Sequence, residues 1–278
     1  MQDGLNYKEI KKIALEAERA ELDSFWLLDH LHASPKPDEQ QMLECWVVLS
    51  ALAVETRRIR LGMLVQNVNN RNPALVAKMT TTLDQISEGR LEFGIGAGGT
   101  NRSQRQNSLG YESEFNAYDI PFPMRAAKRI DKLEEGLELM KMMWTQNIST
   151  FKGKYYNIKN AICQPKTVQK PYPPIWIGGG CGNRMLKVVA KHADGWNIMG
   201  ASTVDDYNKS LKLLRIACNK IGRKADDIKI SMRVTGSIED CEKNLIKFKS
   251  IGLNLAMFRP PRGKEIEYLR TLKFNHFK

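Results

Sequence analysis

The chain has 278 residues, 42% of them hydrophobic and 27% charged, which is enough apolar material for one full core. No apolar run reaches the ~20 residues of a membrane span, and the start, MQDGLNYKEI, lacks the basic and apolar parts of a signal peptide, so the expected compartment is the cytoplasm. Lys and Arg exceed Asp and Glu by 43 to 31, but the basic residues are scattered without a nucleic-acid motif, so a Lys-rich solvated exterior is the favoured reading, with a polyanionic ligand compatible. Five widely spaced cysteines, Cys45, Cys163, Cys181, Cys218 and Cys241, form no CxxC pair, so neither a disulfide framework nor a structural zinc site is indicated and reduced thiols are expected.

In chain order, short apolar segments alternate with stretches of helical period, the pattern of βα units on a parallel sheet. The expected strands are FWLL from Phe25, IRLGMLV from Ile59, LEFGIG from Leu91, PIWIGG from Pro174, GWNIMG from Gly195, IKISMRV from Ile228 and LNLAMF from Leu253. Between them, helical faces are formed by Ile10, Ile13, Ala14 and Ala17, by Leu133, Leu137, Met140 and Trp144, by Met185, Val188, Val189 and His192, and by Leu211, Leu214, Cys218 and Ile221. Repeated right-handed crossovers of this kind either wind an open sheet or close a barrel, and periodicity does not separate the two. From Asn101 to Pro173 the rhythm breaks into a polar stretch, a helix and a second irregular stretch containing KGKYYN and KPYPP; such an insert suits a lid.

Four segments carry chemistry. FWLLDHLH ends a buried strand in Asp29 and His30, where an imidazole can exchange a proton near neutral pH and a carboxylate can orient or stabilise it; capping and surface roles account for the pair equally well. His30 and His32 lack a third ligand for a metal, and none is expected. IGGGCGN runs a strand into Gly178, Gly179, Gly180, Cys181 and Gly182 and then a helix, which favours a phosphate at the helix start over a bare turn. LEFGIGAGG places Gly94, Gly96, Gly98 and Gly99 at a strand end, read as close approach of a planar ligand to the backbone. In LGMLVQNVNNRNP, Asn67, Asn69 and Asn70 read as turn residues before a helix opened by Pro73.

Taken in order, these segments with GRLEFGIGAG, PFPMRAAKRIDKLEE, PIWIGGG and ADGW resemble the luciferase-like monooxygenase superfamily, and within it the branch of F420-dependent oxidoreductases. The similarity spans Gly4 to Gly200. It implies a single TIM (β/α)8 barrel over residues 1–278, with an insertion after strand four. It also implies hydride transfer between coenzyme F420, or alternatively FMN, and a small organic substrate. His30 would be the proton-transferring residue and Asp29 its electrostatic partner. Leu64 and Val65 would form a bulge with a non-proline cis peptide behind the ring, beside Gly96 and Gly98, and Gly179, Gly180, Cys181 and Gly182 would hold the phosphate.

The sequence departs from that family in three ways. Only Met1, Gln2 and Asp3 precede Gly4, too few for a first strand, so a truncated product, an open seam or an edge covered by a partner chain is expected. IKISMRV runs almost directly into TGSIEDCEKNL, which shortens the rim. Gly98 and Gly99 stand where the sugar-phosphate dehydrogenases of the branch carry a Glu, against glucose 6-phosphate as substrate. Rival readings are an FMN-dependent monooxygenase and an inactive barrel kept as a binding subunit; a homodimer is compatible with all three, and neither nucleic acid nor membrane is expected as a partner.

Overall fold

The computed structural model describes residues 2–33, 39–99, 111–199, 203–234 and 246–271. Its strands are β1 (Ser24–Leu27), β2 (Arg60–Met63), β3 (Gln66–Asn67), β4 (Leu91–Gly96), β5 (Ser149–Lys152), β6 (Asn157–Ala161), β7 (Ile175–Gly179), β8 (Gly195–Ile198), β9 (Lys229–Val234) and β10 (Leu255–Phe258). The helices are α1 (Tyr7–Arg19), α2 (Cys45–Glu55), α3 (Pro73–Ile86), α4 (Tyr111–Ala117), α5 (Ala126–Thr145), α6 (Asn183–His192), α7 (Val204–Asn219) and α8 (Glu265–Thr271). None of these helices is long and apolar enough to cross a membrane.

All strands except β5 and β6 lie in one parallel sheet, ordered β1-β2-β4-β7-β8-β9-β10, with β3 resuming the place of β2 against β4. The seven expected strands are therefore present, and the sheet curls: the indoles of Trp26 on β1 and Trp176 on β7, two strands apart in between, meet edge to face at 5.8 Å. This curled parallel sheet with helices outside is the α/β barrel architecture expected from the motifs, and among the described residues no strand lies between β1 and β10. Among the described residues, Gln2 and Asp3 bridge that seam. The Gln2 amide exchanges two hydrogen bonds with the Leu28 backbone, 2.6 and 3.1 Å, as a neighbouring strand would, and Asp3 pairs with Arg259 just after β10 at 3.5 Å.

Register decides which side of the sheet holds the core. Leu61, Phe93, Ile95, Ile175, Ile177, Trp196, Ile230 and Met232 face the helices and are fully or nearly fully buried. Phe93 touches both Trp46 of α2 and Trp144 of α5. The inner face instead carries Trp26, Gly62, Glu92, Gly94, Gly96, Trp176, Gly178, Gly195, Asn197, Ser231 and Arg233. Glycines clear room there for flat packing: Trp26 lies over Gly62 and Trp176 over Gly195. Glu92 bonds the Trp176 indole at 2.5 Å and pairs with Arg60, which closes the lower end of the barrel.

The four expected helical faces belong to α1, α5, α6 and α7, and all are buried except Leu211, which is half-buried, Ile13, which is partly so, and Ile221. Ile221 lies beyond the end of α7 and is 48% exposed, because the chain turns at Lys220 to Gly222. The KGKYYN stretch, expected to be irregular, is the turn of an antiparallel β5–β6 hairpin. Glu135 of α5 holds it by accepting the N–H groups of Lys154, Tyr155 and Tyr156, side-chain pairings that no strand periodicity announces. Residues 100–110 of the insert, and the shortened TGSIEDCEKNL connection, lie outside the described residues.

Candidate active site

Because the sheet is parallel, the C-terminal ends of all its strands open at one edge. His30, the Leu64–Val65 bulge, Gly98 and the Gly179–Gly182 turn therefore stand on one rim, in that order around β1, β2/β3, β4 and β7.

His30 follows β1. Its Nδ1–H donates to Glu114 of α4 at 3.0 Å, and the other Glu114 oxygen accepts the Leu31 N–H. A carboxylate only accepts, so this contact fixes the proton on Nδ1 and makes Nε2 the nitrogen that gains and loses one. Burial works against a charge on the ring, but the hydrogen bond and charge of Glu114 outweigh it, with smaller help from Asp3 and Asp29, and the His30 pKa is raised. A quarter of the side chain remains exposed. Glu114 is itself docked: its neighbour Phe115 stacks on Phe122 at 5.1 Å, and the buried Arg129 covers Phe122 at 4.8 Å while donating to the Gly98 carbonyl at 3.2 Å.

Asp29 is buried and faces away from the imidazole. Arg71 donates to both its oxygens, 3.1 and 2.9 Å, and Asn70 to one at 3.0 Å; Arg71 also pairs with Glu44. Burial pushes the Asp29 carboxyl up and Arg71 pulls it back. Against the cost of its own burial, Arg71 is held charged by Asp29 and Glu44. Asp29 thus ties the end of β1 to the loop after β3, and reaches His30 through its charge alone.

The Leu64–Val65 peptide is cis, where the resemblance put it. The Val65 side chain lies inside the barrel, in a slot made by glycines: a Cβ on Gly96 or on Gly178 would come within 2.8 Å of its methyls, and one on Gly94 would meet the Met63 carbonyl. Read as making room for a planar ligand, Gly94 and Gly96 instead make room for this bulge, and Val65 forms the floor on which a ligand would rest. Gly98 has φ +73° and lies against Asn67, a conformation and a contact that a side chain would disturb.

On the β7 side, Gly179 is covered by Met185, and Cys181 turns its thiol to Ser210 of α7 at 3.0 Å. Among the described residues a Cβ on Gly182 would meet nothing within 4 Å and one on Gly180 only the Met199 carbonyl at 4.0 Å, and α6 begins at Gly182 with no side-chain cap. Its first N–H groups are donors of the kind that hold a phosphate. The Asn-rich turn is more than a turn: Asn67 accepts from Asn69, and the buried carbonyl oxygens of Asn69 and Asn70 have no hydrogen-bond partner. Acceptors without donors, an open glycine turn and an uncapped helix fit a phosphorylated heterocycle with ring N–H groups.

Sequence reasoning missed Glu114, Arg71 and the Asn pair. Glu114 is 84 residues from His30 and sits in polar surroundings, so only the fold reveals it. Among the described residues Glu134, Glu138 and His192, on α5 and α6, form a metal-type cluster, where the Lys191 ammonium already bonds both carboxylates.

Comparison with known proteins agrees with this fold. The family model for luciferase-like monooxygenases matches residues 1–245. A phthiodiolone/phenolphthiodiolone dimycocerosates ketoreductase of Mycobacterium bovis, like that of Mycobacterium tuberculosis, is 28% identical over 222 residues, covering 72% of this chain and 53% of the relative. The chain thus spans about half the length of these curated relatives. An F420-dependent secondary alcohol dehydrogenase, solved with an F420-acetone adduct, superposes with a TM-score of 0.80 at 18% identity, covering 96% of this chain and 94% of that one. A tetrahydromethanopterin reductase from Methanopyrus kandleri gives 0.69 at 22% identity over 84% and 64%. The monooxygenase RslO1 from Streptomyces bottropensis gives 0.72 at 18% over 95% and 90%. With a family model matched over most of its length on a barrel of the same type, the chain belongs to the luciferase-like monooxygenase family.

Proposed function

We propose that the protein is an F420-dependent oxidoreductase that transfers a hydride between the deazaflavin and a small organic substrate. The observation that carries this reading is the sharing of one rim by a proton-exchanging His30, the Val65 floor and an open, uncapped glycine turn. Two F420 enzymes among the similar structures and a ketoreductase among the relatives support it, as does a net charge of +12, which suits an anionic cofactor.

When bound, coenzyme F420 supplies or accepts the hydride. Gly180, Gly182 and the first N–H groups of α6 would hold its phosphate, Val65 and Leu64 would back its ring, and the Asn69 and Asn70 oxygens would accept from its ring N–H groups. His30 delivers a proton from Nε2 to the oxygen of a carbonyl being reduced and takes it back when an alcohol is oxidised, while Glu114 stabilises the imidazolium. Arg129, Phe122 and Phe115 keep Glu114 in place.

Titration of the protein with F420 and with FMN, followed by fluorescence quenching, tests the cofactor. Saturable quenching of F420, unchanged in His30→Ala while turnover falls, supports the proposal. Tight FMN binding without a response to F420 replaces it with a flavin monooxygenase, and no response to either leaves a binding subunit. We also propose a cytoplasmic location and a homodimer through the face where Val47 and Val54 of α2 and Leu75 of α3 are more than half exposed. A sedimentation profile of Val47→Glu/Val54→Glu that matches the wild type refutes that interface.

A further inference from the structure

Several cations around the rim are paired among the described residues. Arg71 is paired with Asp29 and Glu44, Arg259 with Asp3, and Arg184 with Asp131. Arg129 is buried against the carbonyls of Gly98, Pro123 and Met124. Arg233 differs: it is exposed and has no hydrogen-bond or ion-pair partner among the described residues.

Its position is fixed by register. Ser231, two residues earlier on β9, bonds Asn197 at 3.0 Å, and Asn197 also reaches Met257, the register partner of Arg233, at 3.5 Å; all four belong to the inner face. Arg233 is the penultimate residue of β9, so it stands inside the mouth at the catalytic end, next to the half-buried Met257. Counting the seam as one place, the curled sheet has eight positions around its axis. β2/β3 and β9 are then four apart, which puts Arg233 on the wall opposite Val65. The phosphate-type turn after β7 lies two strands away on the side of β7, not on that wall.

We propose that Arg233 recognises a carboxylate of the organic substrate, so that the substrate class is an oxo or hydroxy acid rather than a neutral ketone or alcohol. A guanidinium presents two parallel N–H donors that match a carboxylate, and among the described residues Arg233 has no carboxylate partner, while Asp3, Asp29 and Glu114 are engaged elsewhere. This inference rests on the hydride-transfer reading of the same site, and its test separates the two.

Cofactor-free protein is titrated calorimetrically with pyruvate and with acetone, as wild type, Arg233→Ala and Arg233→Lys, and F420 affinity is measured on each by quenching. The expected result is binding of pyruvate but not acetone, at least tenfold weaker in Arg233→Ala and partly restored in Arg233→Lys, with F420 affinity within twofold throughout. With F420, KM for the acid rises in Arg233→Ala while kcat holds. Equal pyruvate binding in wild type and Arg233→Ala overturns the proposal, as does no pyruvate binding by the wild type. A loss of F420 affinity in Arg233→Ala also overturns it, and assigns the arginine to the cofactor's acidic tail. Failure of F420 to bind the wild type, with Arg233-dependent pyruvate binding intact, counts against the cofactor reading alone.

Discussion

The Val65 slot offers a sharp test of how the floor of the site is built. A methyl added at Gly178 would lie 2.8 Å from one Val65 methyl and 3.2 Å from the other, where ordinary contact begins near 3.4 Å, and the three nearest atoms it would meet all belong to Val65. Gly178→Ala should therefore cost about 1–3 kcal/mol as an overpacked core. Val65→Ala removes two methyl groups from an enclosed slot, worth roughly 1–2 kcal/mol at ~0.8 kcal/mol per buried carbon. In the double variant the new methyl enters the space the old ones leave, so the two losses should not add: a coupling energy of about 1–2 kcal/mol is expected. Gly94→Ala is the control, because its methyl would run into the Met63 backbone carbonyl, which no side-chain trimming relieves, so Val65→Ala should not rescue it. Urea unfolding of the variants, read by tryptophan fluorescence, supplies the energies. Additive losses for Gly178→Ala and Val65→Ala, within ~0.5 kcal/mol, would refute the claim that the glycines exist to seat Val65.

Three further outcomes follow from the charges. In Glu114→Gln the carboxylate that raises His30 is gone while burial still lowers it, so the imidazole pKa falls; activity in carbonyl reduction, which needs the protonated ring, should lose its alkaline limb at lower pH than in the wild type, and an unshifted pH profile would contradict the pairing. Arg71→Met strands Asp29 as a buried carboxylate and should cost about 3–5 kcal/mol, much of it recovered by adding Asp29→Asn; a urea midpoint unmoved by Arg71→Met would count against the clamp. Burial, with Lys141, Lys191 and Arg223 nearby, lowers His192 to about 3. The unfolded chain takes up this proton first, so stability is lost as pH falls from about 6.5 toward 3, by up to ~1.4 kcal/mol per unit; His192→Leu should flatten that slope, and an unchanged slope would refute it.

The elements whose burial follows one period were readable in the sequence. The strands of the parallel sheet other than β3, the faces of α1, α5 and α6, and the position of His30 at a strand end follow from short apolar segments alternating with stretches of helical period, whereas β3 falls where Gln66 and Asn67 read as part of a polar turn. α2 escaped because CWVVLSALAVE is apolar all round and shows no helical stripe, and its Val47 and Val54 stay exposed. The β5–β6 hairpin escaped because it is held by Glu135 from a helix rather than by a buried face. Glycine-rich strand ends were legible as close approaches, but not what approaches: Val65 fills the gap at Gly96 and Gly178, whereas Gly180 and Gly182 stay open. Glu114 was not legible at all, since a polar segment gives no sign of which distant histidine it will meet.

The account stands on one pocket joining His30 to the α6 start, and an NMR titration with F420 addresses that directly. Protein labelled at histidine and at backbone amides should show the His30 ring signals and the amides of Gly180, Gly182 and Asn183 moving together, along curves that give one dissociation constant. Shifts at only one of these two places, or at both with different constants, would contradict it.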